Sequence, residues 1–263
     1  MASIRHKSVL YHSSKVIYDS YGSGGSALVF IHGWSCSAAL YYAQTPLFHR
    51  HHSITIDLPG HGRSDAPKIE YSLEFMARAV IEVLNTENIS SAILIGHSMG
   101  GPVSTMVLRL KPQAVRGVIY VDSFFHLPET YMTVSQRQEL AAAHADDEKF
   151  RSFLAPFATP KLSSGDWERI IDIMTSTALH VRTNATTTVV QPHAWRYKEI
   201  YEVPALHLVT PMFEDFDRHW LHHIPRLETV VWPDNGHFLF MEEPQRFNAA
   251  VEEFLDRLEL FRT

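Results

Sequence analysis

The sequence predicts an α/β protein built on a mainly parallel sheet with helices on both faces. Three observations carry this. Several short runs are apolar without alternation, which suits strands covered on both sides. Amphipathic helical patterns lie between those runs, and one Gly-x-Ser-x-Gly turn joins such a run to a helix. The 263 residues, 45% hydrophobic and 20% charged, suffice for one large core, and the single cysteine, Cys36, excludes an internal disulfide or a four-cysteine zinc site. A net charge of -6 argues against a nucleic-acid or anionic-membrane surface. Met1–Leu10 lacks the apolar core of a signal peptide and no long apolar stretch occurs, so the expectation is a cytoplasmic protein, monomer or homodimer, whose partner is a small-molecule substrate.

Taken in order, Lys7–Tyr11 and Lys15–Tyr21, separated by His12-Ser13-Ser14, read as an antiparallel hairpin. Core strands follow at Ala27–Ile31, Ser53–Asp57, Ala92–Ile95, Val118–Val121, Ala205–Val209 and Thr229–Trp232. Ser72 caps a helix that places Leu73, Met76, Val80, Val83 and Leu84 on one face, and the last helix starts near Pro244 with Phe247, Val251, Phe254, Leu255 and Leu258 on one stripe. From Phe124 to Tyr201 the rhythm breaks into helical and turn-like sequence, including a helix capped at Ser163 with Trp167, Ile170, Ile171 and Met174 on its apolar face. That stretch reads as a helical insertion between two strands.

Gly96-His97-Ser98-Met99-Gly100-Gly101 carries the chemistry. A serine at so sharp a strand-to-helix turn needs tiny neighbours, which Gly96 and Gly100 supply, and stands beside the unpaired N–H groups of a helix amino terminus. A serine hydroxyl is a weak nucleophile that requires a histidine base, itself oriented by a carboxylate.

With three further motifs the chain resembles the α/β-hydrolase fold family along essentially its whole length. His32-Gly33-Trp34 looks like the family's oxyanion loop, Asp57-Leu-Pro-Gly-His-Gly-Arg-Ser-Asp65 like its Asp-x-x-Gly-x-Gly-x-Ser loop, and Asn235-Gly236-His237-Phe238 like its catalytic-histidine loop. The resemblance implies an eight-stranded, mostly parallel sheet, a core domain of residues 1–123 and 202–263, and a helical cap of residues 124–201. It also implies Ser98 as nucleophile, His237 as base, and the backbone N–H groups of Trp34 and Met99 as oxyanion donors.

The acid is placed differently from the commonest family pattern, whose Gly-x-x-Asp turn after the seventh strand has no match in Val209-Thr210-Pro211-Met212-Phe213-Glu214-Asp215. Some branches, among them haloalkane dehalogenases and cofactor-free quinolone dioxygenases, take the acid from the preceding strand, and Asp122 resembles that placement. Glu214 and Asp215 are the alternatives. Substrate-binding candidates are His32, Phe124, Phe125, His126, Trp167 and Phe238, beside Trp34 and Met99.

His49-Arg-His51-His52 reads as a solvated turn, and Asp215, His219, His222 and His223, which share a helix face, form no metal-binding motif. Neither a metal nor a cofactor is expected. The function implied is a serine hydrolase acting on a small to medium apolar or aromatic ester, thioester or lactone. The alternatives are C–C bond hydrolysis on the same three residues, a cofactor-free oxygenase or perhydrolase using the His–Asp pair, and a binding module with an idle triad.

Overall fold

A computed structural model describes residues 4–125, 133–188, 199–213 and 222–258. Eight strands form one sheet: β1 (Ile4–Tyr11), β2 (Ser14–Tyr21), β3 (Ser26–Ile31), β4 (Ser53–Ile56), β5 (Ser91–His97), β6 (Val115–Val121), β7 (Ala205–Val209) and β8 (Leu227–Val231). Their order is β1-β2-β4-β3-β5-β6-β7-β8. The β1/β2 and β2/β4 pairs are antiparallel and every later pair is parallel. The helices are α1 (Thr45–Arg50), α2 (Leu73–Thr86), α3 (Gly100–Leu110), α4 (Val134–Ala145), α5 (Asp147–Leu154), α6 (Ser164–Ser176), α7 (Leu179–Thr188), α8 (Leu239–Glu242) and α9 (Pro244–Leu258). None is long and apolar enough to cross a membrane.

The unbroken apolar runs reflect a sheet with two cores. In β3, Ala27, Val29 and Ile31 join Met76, Val80, Val83, Val103 and Val107 on one face. Leu28 and Phe30 join Tyr41, Phe48, Trp232, Phe240 and Phe247 on the other. Both sides of the strand leave water, so neither tolerates a polar residue. Helix α2 starts where Ser72 accepts a hydrogen bond from Phe75 N, as its sequence predicts. The β1–β2 turn is one residue shorter than the sequence suggested. His12 and Ser13 alone turn the chain, both at positive φ, and Ser14 already pairs with Tyr11. Two left-handed residues match the strand twist of a two-residue hairpin.

Parallel strands place their carboxyl ends along one rim of the sheet. Helices α4 to α7 are inserted between β6 and β7, that is, between two neighbouring strands at that rim. Strand β4 leads into a loop fixed by Asp57, which accepts from Ala38 N and pairs with Arg63; Arg63 in turn forks onto Asp19 of β2.

Candidate active site

The turn after β5 holds Ser98 at φ +50. Such a conformation costs free energy in a non-glycine residue and persists only where its surroundings enforce it. Here Ser98 N donates to Val121 O, Gly101 N donates to Ser98 O, and the Ser123 hydroxyl donates to the same carbonyl. The turn is packed so closely that a Cβ on Gly100 would overlap the Ile31 carbonyl, and one on Gly101 would overlap the Ser123 hydroxyl. Gly33 lies against the turn, its α-carbon positioned so that a Cβ would meet Ser98 Cβ at 3.1 Å.

The loop at Gly33 and Trp34 is anchored on several sides. Leu58 N donates to His32 Nε2 at 3.0 Å, which leaves the ring proton on Nδ1 to donate to Gly33 O at 2.8 Å. Burial pushes His32 below the ordinary histidine range. With both ring nitrogens committed to backbone, the buried His32 supports the loop. Trp34 Nε1 donates to Arg182 O of α7, and the Thr177 hydroxyl donates to Ser35 O. Cys36, behind this loop, is buried, and burial pushes its thiol up to about 12, which removes it as a nucleophile.

Asp122 follows β6 directly, is 0% exposed and has φ +41. Its Oδ2 accepts from His237 Nδ1 at 2.7 Å. Its Oδ1 accepts from both Thr210 N and the Thr210 hydroxyl, each at 2.8 Å. The seventh strand therefore contributes hydrogen-bond donors to an acid carried by the sixth. Because Nδ1 of His237 donates to the carboxylate, the lone pair lies on Nε2.

His237 sits in a stitched loop. Glu242 of α8 accepts from Gly236 N at 2.8 Å and from Asn235 Nδ2 at 3.0 Å. His97, the residue before Ser98, donates from Nε2 to His237 O at 2.8 Å, and the two rings lie 4.6 Å apart. Burial, then the neighbouring His237, holds His97 well below the ordinary histidine range. Ser98 and His237 thus belong to loops joined through one intervening side chain.

The other expected residues fall into four groups. Phe124 is buried and stacks on Phe213, Phe125 is buried and stacks on His223, and Met99 is buried in the turn. Trp34 and Trp167 are half-buried. Phe238, expected to line the pocket, is 1% exposed and packs between His97 and Phe240, so it belongs to the core. His126, Glu214, Asp215 and His219 lie outside the described residues. No group of three or more potential metal ligands occurs among the described residues. His52, read from sequence as part of a solvated turn, is buried and bonded to Gly24 O and the Ser20 hydroxyl. Sequence reasoning did not single out Phe153, Phe157 and Phe213, whose rings lie near Trp34 or His237, nor Thr210 and Glu242, and no local pattern announces them.

A family model described as "Alpha/beta hydrolase family" matches residues 28–250. The chain belongs to the alpha/beta hydrolase family. Among curated α/β-hydrolase relatives, it is 34% identical over 127 residues to an (E)-2-((N-methylformamido)methylene)succinate hydrolase of Acinetobacter baylyi, covering 47% of this chain and 48% of that one. It is also 34% identical over 107 residues to a pimeloyl-[acyl-carrier protein] methyl ester esterase of Klebsiella pneumoniae, covering 40% of each. The chain thus spans less than half the length of these two relatives. A solved structure titled "Est816 as an N-Acyl homoserine lactone degrading enzyme" superposes with a TM-score of 0.79 at 28% identity, over 94% of this chain and all of that one.

Proposed function

We propose that the protein is a serine hydrolase that cleaves a small to medium apolar or aromatic carboxylic ester, thioester or lactone through an acyl-enzyme. The Asp122–His237 hydrogen bond carries this reading, because it fixes the tautomer that leaves Nε2 of His237 free to take a proton from the Ser98 hydroxyl. Ser98 attacks the carbonyl carbon as His237 takes its proton. The backbone N–H groups of Trp34 and Met99 stabilise the oxyanion, at about 3 to 4 kcal/mol per donor. The imidazolium then protonates the leaving group, and water repeats the sequence to release the acid. Residues 124–201 act as the cap, and the aromatic side chains Trp34, Phe153, Phe157 and Phe213 favour an apolar acyl or alcohol group.

The curated esterase relative and the lactone-degrading structural neighbour support an ester or lactone as the substrate class. A panel of nitrophenyl esters of rising acyl length tests the reading. Turnover that disappears in Ser98→Ala is expected. C–C bond hydrolysis is a related branch on the same three residues, and one observation favours a reading of another class, a cofactor-free oxygenase using the His–Asp pair: Asp122, which bonds His237, stands after the sixth strand. Activity that survives Ser98→Ala but not His237→Ala identifies the oxygenase, and turnover of diketones with negligible ester cleavage identifies the C–C hydrolase.

A further inference from the structure

Among the described residues four rings lie close to the imidazole of His237: its buried neighbours His97 and Phe238, and two phenylalanines brought from other segments. Phe157 has its centroid 4.8 Å away at an interplanar angle of 31°, and Phe213 is 5.2 Å away at 29°. Each ring arrives on a segment tied to the base or its acid. Phe157 ends a short 3-10 turn, Ala155–Phe157, between α5 and α6. Just beyond it the Thr159 hydroxyl donates to Glu242 Oε1 at 2.8 Å, and Lys161 bonds to Asn235 Oδ1 and pairs with Glu243. A Cβ on Gly236 would overlap the Thr159 methyl, so a larger residue at 236 would displace the Thr159 side chain. Phe213 N donates to Thr210 O, and Thr210 is the residue that holds Asp122.

We propose that Phe157 and Phe213 form an aromatic clamp on His237 that stabilises the imidazolium formed during turnover, so that the helical insertion acts on the base directly. The proposal rests on the reading of His237 as general base. The face of a phenyl ring is electronegative and attracts a cation far more than a neutral imidazole. The charge appears as the proton leaves Ser98, so the attraction lowers the barrier. Among the described residues, the charged and titratable groups facing His237 or its loop are Asp122 from the end of β6, His97 from the end of β5, Glu242 from α8 and Lys161 from the insertion. All four are retained when a phenylalanine is changed.

Leucine at position 157 keeps apolar cover over the imidazole and removes the π face. Phe157→Leu is expected to lower kcat about 2- to 30-fold with KM little changed, and to move the acid limb of the kcat/KM profile about 0.4 to 1.5 pH units lower. Phe157→Tyr, which restores a π face, is expected to restore both. Loss of kcat with no movement of the limb, or a tyrosine variant that behaves like leucine, overturns the clamp. Should Phe157→Leu not fold, Phe213→Leu carries the same expectations. An NMR titration of histidine ring signals in Ser98→Ala protein, with the His237 signals assigned from a His237→Gln difference spectrum, separates this proposal from the hydrolase reading. A midpoint that falls on adding Phe157→Leu upholds the clamp even if no ester is turned over. An unmoved midpoint refutes it even if esters are cleaved.

Discussion

Replacing Asp122 with asparagine changes one oxygen to an NH2 group, and the surroundings dictate which one. Thr210 N–H can only donate, so the amide oxygen of the introduced side chain must take the Oδ1 position 2.8 Å from it. The NH2 group then faces Nδ1 of His237, where the carboxylate oxygen now accepts at 2.7 Å. Two donors cannot share that bond, so His237 is driven to the tautomer with its proton on Nε2, which cannot accept the Ser98 proton. In a serine triad this inversion costs about 10⁴-fold in kcat, or ~5.5 kcal/mol of barrier. The fold remains intact, because a buried charge is removed without change of shape. The assay is kcat on a nitrophenyl ester near neutral pH, with circular dichroism to verify folding. A folded Asp122→Asn protein that loses less than about tenfold, together with a large loss in Glu214→Gln or Asp215→Asn, refutes the assignment of Asp122 and the tautomer argument with it.

Three further outcomes are expected. Gly100→Ala drives a methyl group into the Ile31 carbonyl, backbone against backbone, and is expected to cost about 3 kcal/mol or more in urea unfolding, whereas Gly165→Ala, which meets nothing, is expected to be near neutral. Burial holds His61 down to about 3, and His144 and His207 down to about 4. The unfolded chain binds protons on these rings below about pH 6.5 while the folded protein does not, so stability is lost as pH falls from there toward 4, by up to about 1.4 kcal/mol per pH unit per ring. A Tm that stays flat from pH 7 to pH 4 contradicts this. Cys36, pushed up to about 12 by burial, is expected to resist iodoacetamide at pH 8 in the native protein and to react fully in guanidinium.

Much of the architecture was legible because it rests on local patterns. Strands buried on both faces produce runs such as Ala27–Ile31 that need no tertiary information, and the Ser72 cap fixes the start of α2. The Ser98 turn was legible for a similar reason, since only glycine fits beside the Ile31 carbonyl. Contacts made by topology were not. Thr210 reaches Asp122 because β7 lies beside β6, and Phe157 reaches His237 through a junction some eighty residues distant in sequence. Neither Thr nor Phe carries a motif at those positions. Phe238 and His32 show the converse. A residue next to a reactive loop in sequence can turn its side chain into the core, and both do.

The central claim is that the Ser98 hydroxyl is made nucleophilic by His237. Reaction with a fluorophosphonate, followed by peptide mass spectrometry, measures this most directly. A single adduct on the peptide containing Ser98, formed at a rate that collapses in His237→Gln, is the predicted result. An unlabelled Ser98, or labelling at the same rate without the imidazole, contradicts the account.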